Sequence, residues 1–432
     1  MMNNRLFIIY HSSFIIYHSS FQTIYTMKTI EVVVKERLNY EKLFSQKLDA
    51  LKTQGNYRYF LEIERSAADF PVFRYTDAQG NRAEAINFCS NDYLGQTTHP
   101  AVQAAAKAAI DQAGTGSGGT RNISGTTTYH RALEKATAQL VKKEAVLVFN
   151  SAYLANQTAL TTLGRHLKGC IFISDEENHA SMIEGLRASK CQKHVFRHND
   201  MIHLEAILKD LPEDAPKVIA FESVYSMSGT VAPMQEIIEI AKKYHALTYC
   251  DEVHAVGMYG TNGAGFVEQT GFTSEIDILN GTFAKSYGVI GGFLAGSAVA
   301  MDFIRSHAEG YIFTSSLPPA TCAAITESIQ IVNNNPQIIQ RFHENVRLFR
   351  TMLAQNLIEF SGHASHITRI NIGNSSRCKI IADNLLKTHG IYLQPINFPT
   401  VPHGQACLRI VINAKHTPEQ MKKLVEALKN VL

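Results

Sequence analysis

Long apolar runs are absent. Nowhere in the 432-residue chain do about 18 apolar residues follow one another, so no membrane-spanning helix is expected. Charge of one sign is also scarce. The 41 Lys and Arg against 38 Asp and Glu leave a formal net charge of +3 with no long basic run, which argues against a nucleic-acid or membrane-surface partner. Closely spaced cysteines are missing too. The seven cysteines are odd in number and include no Cys-x-x-Cys pair, so neither a zinc ribbon nor a redox dithiol is indicated. Cys250, in the apolar run Thr248-Tyr249-Cys250, reads as a small hydrophobe, and a reducing compartment is the natural setting. What is present is the composition of a folded protein, 45% hydrophobic and 18% charged, which excludes collagen, a disulfide scaffold and general disorder. The length admits two or three domains at about 150 residues each.

The first 26 residues differ from the rest. They hold no acidic residue and one arginine, Arg5, and the stretch Phe7 to Ser13 recurs as Phe14 to Ser20. A mitochondrial presequence is Arg-rich and amphipathic, and a secretory signal has an unbroken apolar stretch; this segment has neither. Residues 1–26 are therefore expected to be a disordered or spurious extension ahead of Met27. Residues 27–85, charged and helical in pattern up to the polar turn Asp77-Ala78-Gln79-Gly80-Asn81, read as an N-terminal arm.

From about 145 to 300, β-rich runs alternate with amphipathic stretches. Strands are expected at 145–149, 170–173, 218–221, 246–250 and 292–295, and a helix at 233–244 with Met234, Ile237, Ile238 and Ala241 on one face. This alternation predicts an α/β large domain, residues 86–329, whose largely parallel sheet is covered on both faces. Residues 330–432 read as a smaller α+β domain, with a helix over 338–353, strands near 368–372 and 408–411, and a closing helix after Thr417-Pro418-Glu419.

Ligands of such sheets sit beyond the carboxyl ends of the strands. Asp251-Glu252-Val253-His254 follows one apolar run directly, and Gly281-Thr282-Phe283-Ala284-Lys285-Ser286 comes about thirty residues later. A lysine among small residues can approach a bound aldehyde, and an acid at a strand end can keep a pyridine nitrogen protonated. Together they point to pyridoxal 5'-phosphate (PLP), with Lys285 as the Schiff-base lysine and Asp251 as the nitrogen's partner. Taken singly, Asp251 reads as a turn acid and Lys285 as a surface lysine; the pair between glycine-rich turns carries the cofactor reading. The cluster Gly114 to Gly119 follows the helical stretch 102–112 and not a strand, which makes a nicotinamide dehydrogenase a poor second reading. Asp251-x-x-His254 has no third ligand nearby, so no metal is expected.

Longer motifs carry a resemblance. Cys89-Ser90-Asn91-Asp92-Tyr93-Leu94-Gly95, Asn178-His179-Ala180-Ser181, Asp251 to Gly257 and the Lys285 segment resemble the α-oxoamine synthases. These are PLP enzymes of aminotransferase fold type I that condense an amino acid with an acyl-CoA. Gly55-Asn56-Tyr57-Arg58, Gly119 to Thr126, Phe196 to Asp200, Tyr259-Gly260 and Ile396 to Pro402 are similar, within that family, to the 5-aminolevulinate synthases. The resemblance runs from about Tyr40 to the C-terminus.

It implies a mostly parallel seven-stranded sheet, a homodimer with shared active sites, and condensation of glycine with succinyl-CoA at the entry to haem and other tetrapyrroles. Lys285 would carry PLP and later take the substrate proton. Asp251 would pair with the pyridinium nitrogen, His254 would bond the phenolic oxygen, and His179 would stack on the ring. Ser151, Ala152 and Tyr153 would hold the phosphate with Thr282, helped by Thr314 and Ser315 of a second subunit. Asn91, Ser226 and Arg409 would serve the glycine carboxylate. Arg58, Thr120, Asn122, Ile123 and Thr400 would serve the acyl-CoA, with Arg58 and Thr120 at its terminal carboxylate. Ala152, Ser228 and Ala406 depart from the family pattern, and Ala406 puts the support of Arg409 in question. No cysteine precedes a proline, so the Cys-Pro motif of animal mitochondrial members is lacking. A bacterial cytoplasmic enzyme is expected, ahead of one in the mitochondrial matrix. The rival reading is another α-oxoamine synthase with a different acyl-CoA, such as an 8-amino-7-oxononanoate, 2-amino-3-ketobutyrate or signal-ketone synthase.

Overall fold

The computed structural model describes residues 38–77 and 79–432. The expected extension 1–26, and residues 27–37 of the expected arm, lie outside them. The chain divides into a unit of residues 1–49 and a unit of residues 50–432. The helix Tyr40–Thr53 buries none of its residues and exposes Tyr40, Leu43, Phe44, Leu48 and Leu51.

The larger unit is built on seven strands: β1 (Ala145–Phe149), β2 (Ile171–Asp175), β3 (Gln192–Phe196), β4 (Lys217–Glu222), β5 (Ala246–Asp251), β6 (Ile278–Thr282) and β7 (Gly292–Gly296). Their order in the sheet is β1-β7-β6-β5-β4-β2-β3. Every pair from β6 to β3 is parallel, and β7 runs antiparallel to both β1 and β6. Side chains alternate between two cores. Ile173, Ile219, Phe221 and Cys250 join one, and Phe172, Val218, Ala220 and Tyr249 the other. Burial on both faces is why these strands read as continuous apolar runs. The parallel strands β2, β4, β5 and β6 all end on polar residues, Asp175, Glu222, Asp251 and Thr282, at one edge of the sheet.

The expected strands form within a residue or two of their predicted limits. β3 has no counterpart among them, because Gln192, Lys193 and Val195 of this edge strand are exposed and leave no apolar pattern. In β6, Asn280 and Gly281 interrupt the apolar run, although both are buried.

The stretch up to residue 85 departs from its helical reading beyond Thr53. Glu64–Arg65, Val72–Thr76 and Arg82–Asn87 are antiparallel strands, and the last pairs in parallel with Ile391–Tyr392. Phe73 and Tyr75 are buried while Arg74 and Thr76 are exposed, a period of two that the local charges obscure. Asp77 closes the hairpin by accepting from the N–H groups of Gln79 and Asn81.

The C-terminal region has the expected α+β content. It contains helix Gln337–Gln355, helix Ser375–His389, a three-stranded sheet of Thr368–Gly373, Ala406–Ile410 and Pro395–Ile396, and helix Pro418–Val431. Thr417 and Gln420 form a capping box at the start of that last helix.

Phe172, with no exposed surface, should lose about 3–5 kcal/mol on replacement by alanine, whereas Leu357→Ala, at a residue 91% exposed, should change little. Thermal melting of the two variants checks this contrast.

Candidate active site

The site lies beyond the strand ends. Lys285 follows β6 in a turn that Thr282 fastens: its hydroxyl donates to the Gly291 carbonyl and accepts from the Ala284 N–H. The Lys285 Nζ lies 2.9 Å from His254 Nε2. On the other side of that imidazole, Nδ1 is 3.1 Å from the Tyr93 hydroxyl and 3.4 Å from Arg409. Arg409 also donates to the Tyr93 hydroxyl at 2.9 Å and to Asn91 Oδ1 at 3.1 Å.

The donors order this chain. A guanidinium only donates, so His254 Nδ1 accepts, and the proton of the neutral ring is on Nε2, facing Lys285. Burial, then the charges of Lys285 and Arg409, hold His254 well below the usual imidazole range. Burial and then Arg409 pull the Lys285 amine down to about 7, against the opposing pull of Asp251 and Glu222. Arg409 is 9% exposed, and among the described residues no carboxylate reaches it within ion-pair distance. Ala406 offers Arg409 no side-chain partner, and Asn91 and Tyr93 accept from the guanidinium.

A second network surrounds Asp251, at the end of β5. Its Oδ1 accepts from the Val253 N–H at 2.8 Å, and its Oδ2 accepts from the Asn156 amide at 2.6 Å. Asn156 belongs to helix α1 (Ala152–His166), whose N-cap Ser151 accepts from the Leu154 N–H through its hydroxyl. His179 is the N-cap of helix α2 (Ala180–Ser189), and its Nδ1 is 2.7 Å from the Ser181 hydroxyl. The Tyr153 ring meets that of His179 edge-on at 6.1 Å.

Among the residues expected at the acyl-CoA, Arg58 donates to the Thr400 hydroxyl at 2.8 Å, and Thr120 bonds Asn122 at 2.6 Å. No hydrogen bond joins the two pairs among the described residues. Thr120 forms a β-bridge with Ser315, whose carbonyl accepts from Asn150, next to Ser151. Thr314 immediately precedes Ser315 in this segment. Ile123 is exposed and Ser226 is buried. Ser228 bonds Thr230 at 2.8 Å, a local turn contact.

Sequence reasoning assigns no role to Tyr93, Asn156, Ser181 or Tyr249. Tyr93 and Ser181 lie inside the motifs that carry the resemblance. Asn156 has a readable signal, a polar residue on the apolar helix face of Ala152, Ala155 and Ala159.

The aminotransferase class I and II family matches residues 83–428. A 5-aminolevulinate synthase of Paracoccus denitrificans is 46% identical, over 90% of this chain and 96% of its own length. One of Rhizobium meliloti is 47% identical over the same shares. The mitochondrial one of Schizosaccharomyces pombe is 45% identical over 91% of this chain and 71% of its length. The chain belongs to the 5-aminolevulinate synthase family. A solved serine palmitoyltransferase of S. paucimobilis with bound PLP superposes with a TM-score of 0.83, at 29% identity, over 91% of this chain and 98% of that one. An 8-amino-7-oxononanoate synthase of Francisella tularensis, at 22% identity and a TM-score of 0.67, covers 80% of this chain and 97% of its own, and shows the same fold.

The family's cofactor is PLP, and the residues present suit it. Lys285 offers an amine that titrates near neutrality, and Asp251 is buried at a strand end with hydrogen-bond donors on both oxygens. The first turn of α1 offers backbone N–H groups for a phosphate. Gly292 leaves room beside that turn, since a Cβ there would lie 2.2 Å from the Ala152 nitrogen.

Only the neutral amine attacks an aldehyde. The rate at which apoprotein captures PLP should rise about tenfold per pH unit below about 7 and level off above it. Arg409→Leu should move the midpoint upward, because a neighbouring positive charge is removed. A stopped-flow titration of PLP capture measures both; a wild-type midpoint above about 9 would contradict the depressed lysine.

Proposed function

We propose that this chain condenses glycine with succinyl-CoA, giving 5-aminolevulinate, CoA and carbon dioxide, with the residues above in defined roles. The observation that carries the reading is Arg409, a nearly buried guanidinium without a carboxylate partner among the described residues, linked to Lys285 through Tyr93 and His254. Such a group is suited to the carboxylate of an amino acid, which it can grip with two parallel N–H bonds.

PLP, when bound, supplies an electron sink for the bonds at the amino acid's α-carbon. Asp251 keeps a proton on its ring nitrogen by opposing charge. His254 presents the Nε2–H donor. His179 covers the ring face. Ser151, Ala152, Tyr153 and Thr282 hold the phosphate, and Asn91 and Ser226 assist Arg409 with the glycine carboxylate. Lys285, with its amine near neutrality, takes the α-proton. A carboxylate on Arg409 offsets the field that depresses Lys285 and raises its proton affinity when a base is needed.

The terminal carboxylate of succinyl-CoA requires a cation at the far end of the acyl pocket. Arg58 with Thr400 supplies one, and Thr120, Asn122 and Ile123 line the approach. Both Arg58 and Thr400 are exposed, so the pocket is completed when substrate is bound. A homodimer is part of this reading. Its support is the exposed apolar set Phe60, Ile123 and Phe313, each next to a site segment. In that dimer Thr314 and Ser315 serve the second subunit's phosphate. The compartment proposed is the bacterial cytoplasm, which agrees with the bacterial relatives and with cysteines that are all free.

Glycine assayed against succinyl-, butyryl- and longer neutral acyl-CoAs tests the reading, and succinyl-CoA should be preferred. Arg58→Leu should lower kcat/KM for succinyl-CoA by about 1.5–3 kcal/mol, roughly ten- to over a hundredfold, the scale of a hydrogen bond to a charged group. Butyryl-CoA should be unharmed. Equal losses on both would give Arg58 a structural role, and wild-type preference for a neutral chain would hand the function to the rival synthases.

A further inference from the structure

Asn156 joins the two groups that flank the cofactor in the reading above, and its bonds dictate their protonation. It is 1% exposed. Its carbonyl accepts from the Tyr249 hydroxyl at 2.7 Å, and its amide nitrogen donates to Asp251 Oδ2 at 2.6 Å and to the Ser181 hydroxyl at 3.0 Å. The reversed amide would set its carbonyl against the carboxylate and its NH2 against the Tyr249 hydroxyl. A hydroxyl suits either orientation, so the Asp251 carboxylate, which only accepts, sets it, and Tyr249 completes the set by donating to the carbonyl.

Two consequences follow from counting donors. Asp251 receives hydrogens on both oxygens, from Asn156 and from Val253, and a carboxylate so placed is ionised. Ser181, having accepted from Asn156, has its own proton free for His179 Nδ1, toward which the Ser181 backbone N–H also points at 3.3 Å. A ring nitrogen that receives two donors holds a lone pair, so the proton of His179 is on Nε2.

The neighbouring acid shows what the amide selects. Glu222 on β4 is in register with Asp251 on β5, and both are 3% exposed. Among the described residues Glu222 Oε1 has no hydrogen-bond partner. Two carboxyls side by side do not both ionise readily. The donors gather on Asp251, while burial and the Asp251 charge raise Glu222 well above the carboxylate range. Lys285 and Asp175 are the other charged groups that act on this set.

We propose that Asn156 is a positioning residue that holds Asp251 as the carboxylate and His179 as the neutral imidazole with its proton on Nε2. The proposal rests on the reading that Asp251 and His179 flank PLP.

The test combines 15N-histidine spectra, PLP dissociation constants and melting temperatures for Asn156→Asp, Asn156→Ala and Tyr249→Phe. The His179 signal is identified by its loss in His179→Gln. In the wild-type apoprotein, His179 should show a bare Nδ1 and a protonated Nε2. In both Asn156 variants the two tautomers should mix, and PLP should bind about tenfold to a hundredfold more weakly, the scale of a lost hydrogen bond to a charged group. Tyr249→Phe should shift both readouts the same way by less, and it keeps the test valid where Asn156→Ala lowers the apoprotein's melting temperature. A wild-type His179 protonated on Nδ1 would overturn the proposal. So would unchanged PLP affinity in Asn156→Asp where Asp251→Ala abolishes binding. Unchanged affinity in Asp251→Ala itself would instead remove the reading of the site, and the proposal with it.

Discussion

Arg409 carries a positive charge into the protein that no carboxylate among the described residues meets, and much of the site is arranged around that field. His254 and His366 are held far below the ordinary imidazole range, with burial first and neighbouring charges including Arg409 next. Lys285 is brought near neutrality by the same two causes. An isolated buried charge is costly unless hydrogen bonds or a ligand compensate it. Asn91 and Tyr93 supply part of that compensation, and in the proposed reading the carboxylate of an incoming amino acid supplies the rest. The proposed reading thereby joins substrate recognition and the state of the Lys285 amine through one guanidinium.

The sheet explains how residues so far apart in sequence meet. Parallel strands deliver their last residues to one edge, and here those residues are Asp175, Glu222, Asp251 and Thr282. Arg409 arrives from the C-terminal sheet and Asn91 and Tyr93 from the loop after Asn87, closing the site from the opposite side. The His254 and Lys285 pair, 31 residues apart, is within hydrogen-bond reach only because β5 and β6 are neighbours in register.

Strands buried on both faces are legible as apolar runs; the strand-end rule points to Asp251, and the glycine-flanked Lys285 about thirty residues later completes the pair. The edge strand β3 is not legible, because an edge strand open to water need not be apolar. The hairpin Val72–Asn87 is hidden by charges on its exposed face. In the site, residues with a recognisable chemical role can be named from motifs. Those that act through others cannot: nothing in a linear sequence says that Asn156 reaches Asp251, 95 positions away, or that Tyr249 donates to its carbonyl. Such partners are set by the packing of α1 on the sheet, a long-range property. The partners of Arg409 are of the same kind, since Asn91 and Tyr93 reach it from more than 300 positions away.

The central claim is that Lys285 is the amine that meets the cofactor's aldehyde. Borohydride reduction of the PLP-loaded protein, followed by peptide mapping, tests it most directly. The account predicts one labelled peptide, containing Lys285, and no label in Lys285→Ala that still binds PLP reversibly. Stable label on another lysine of the wild-type protein, or a reduced protein that releases all its PLP, would contradict it.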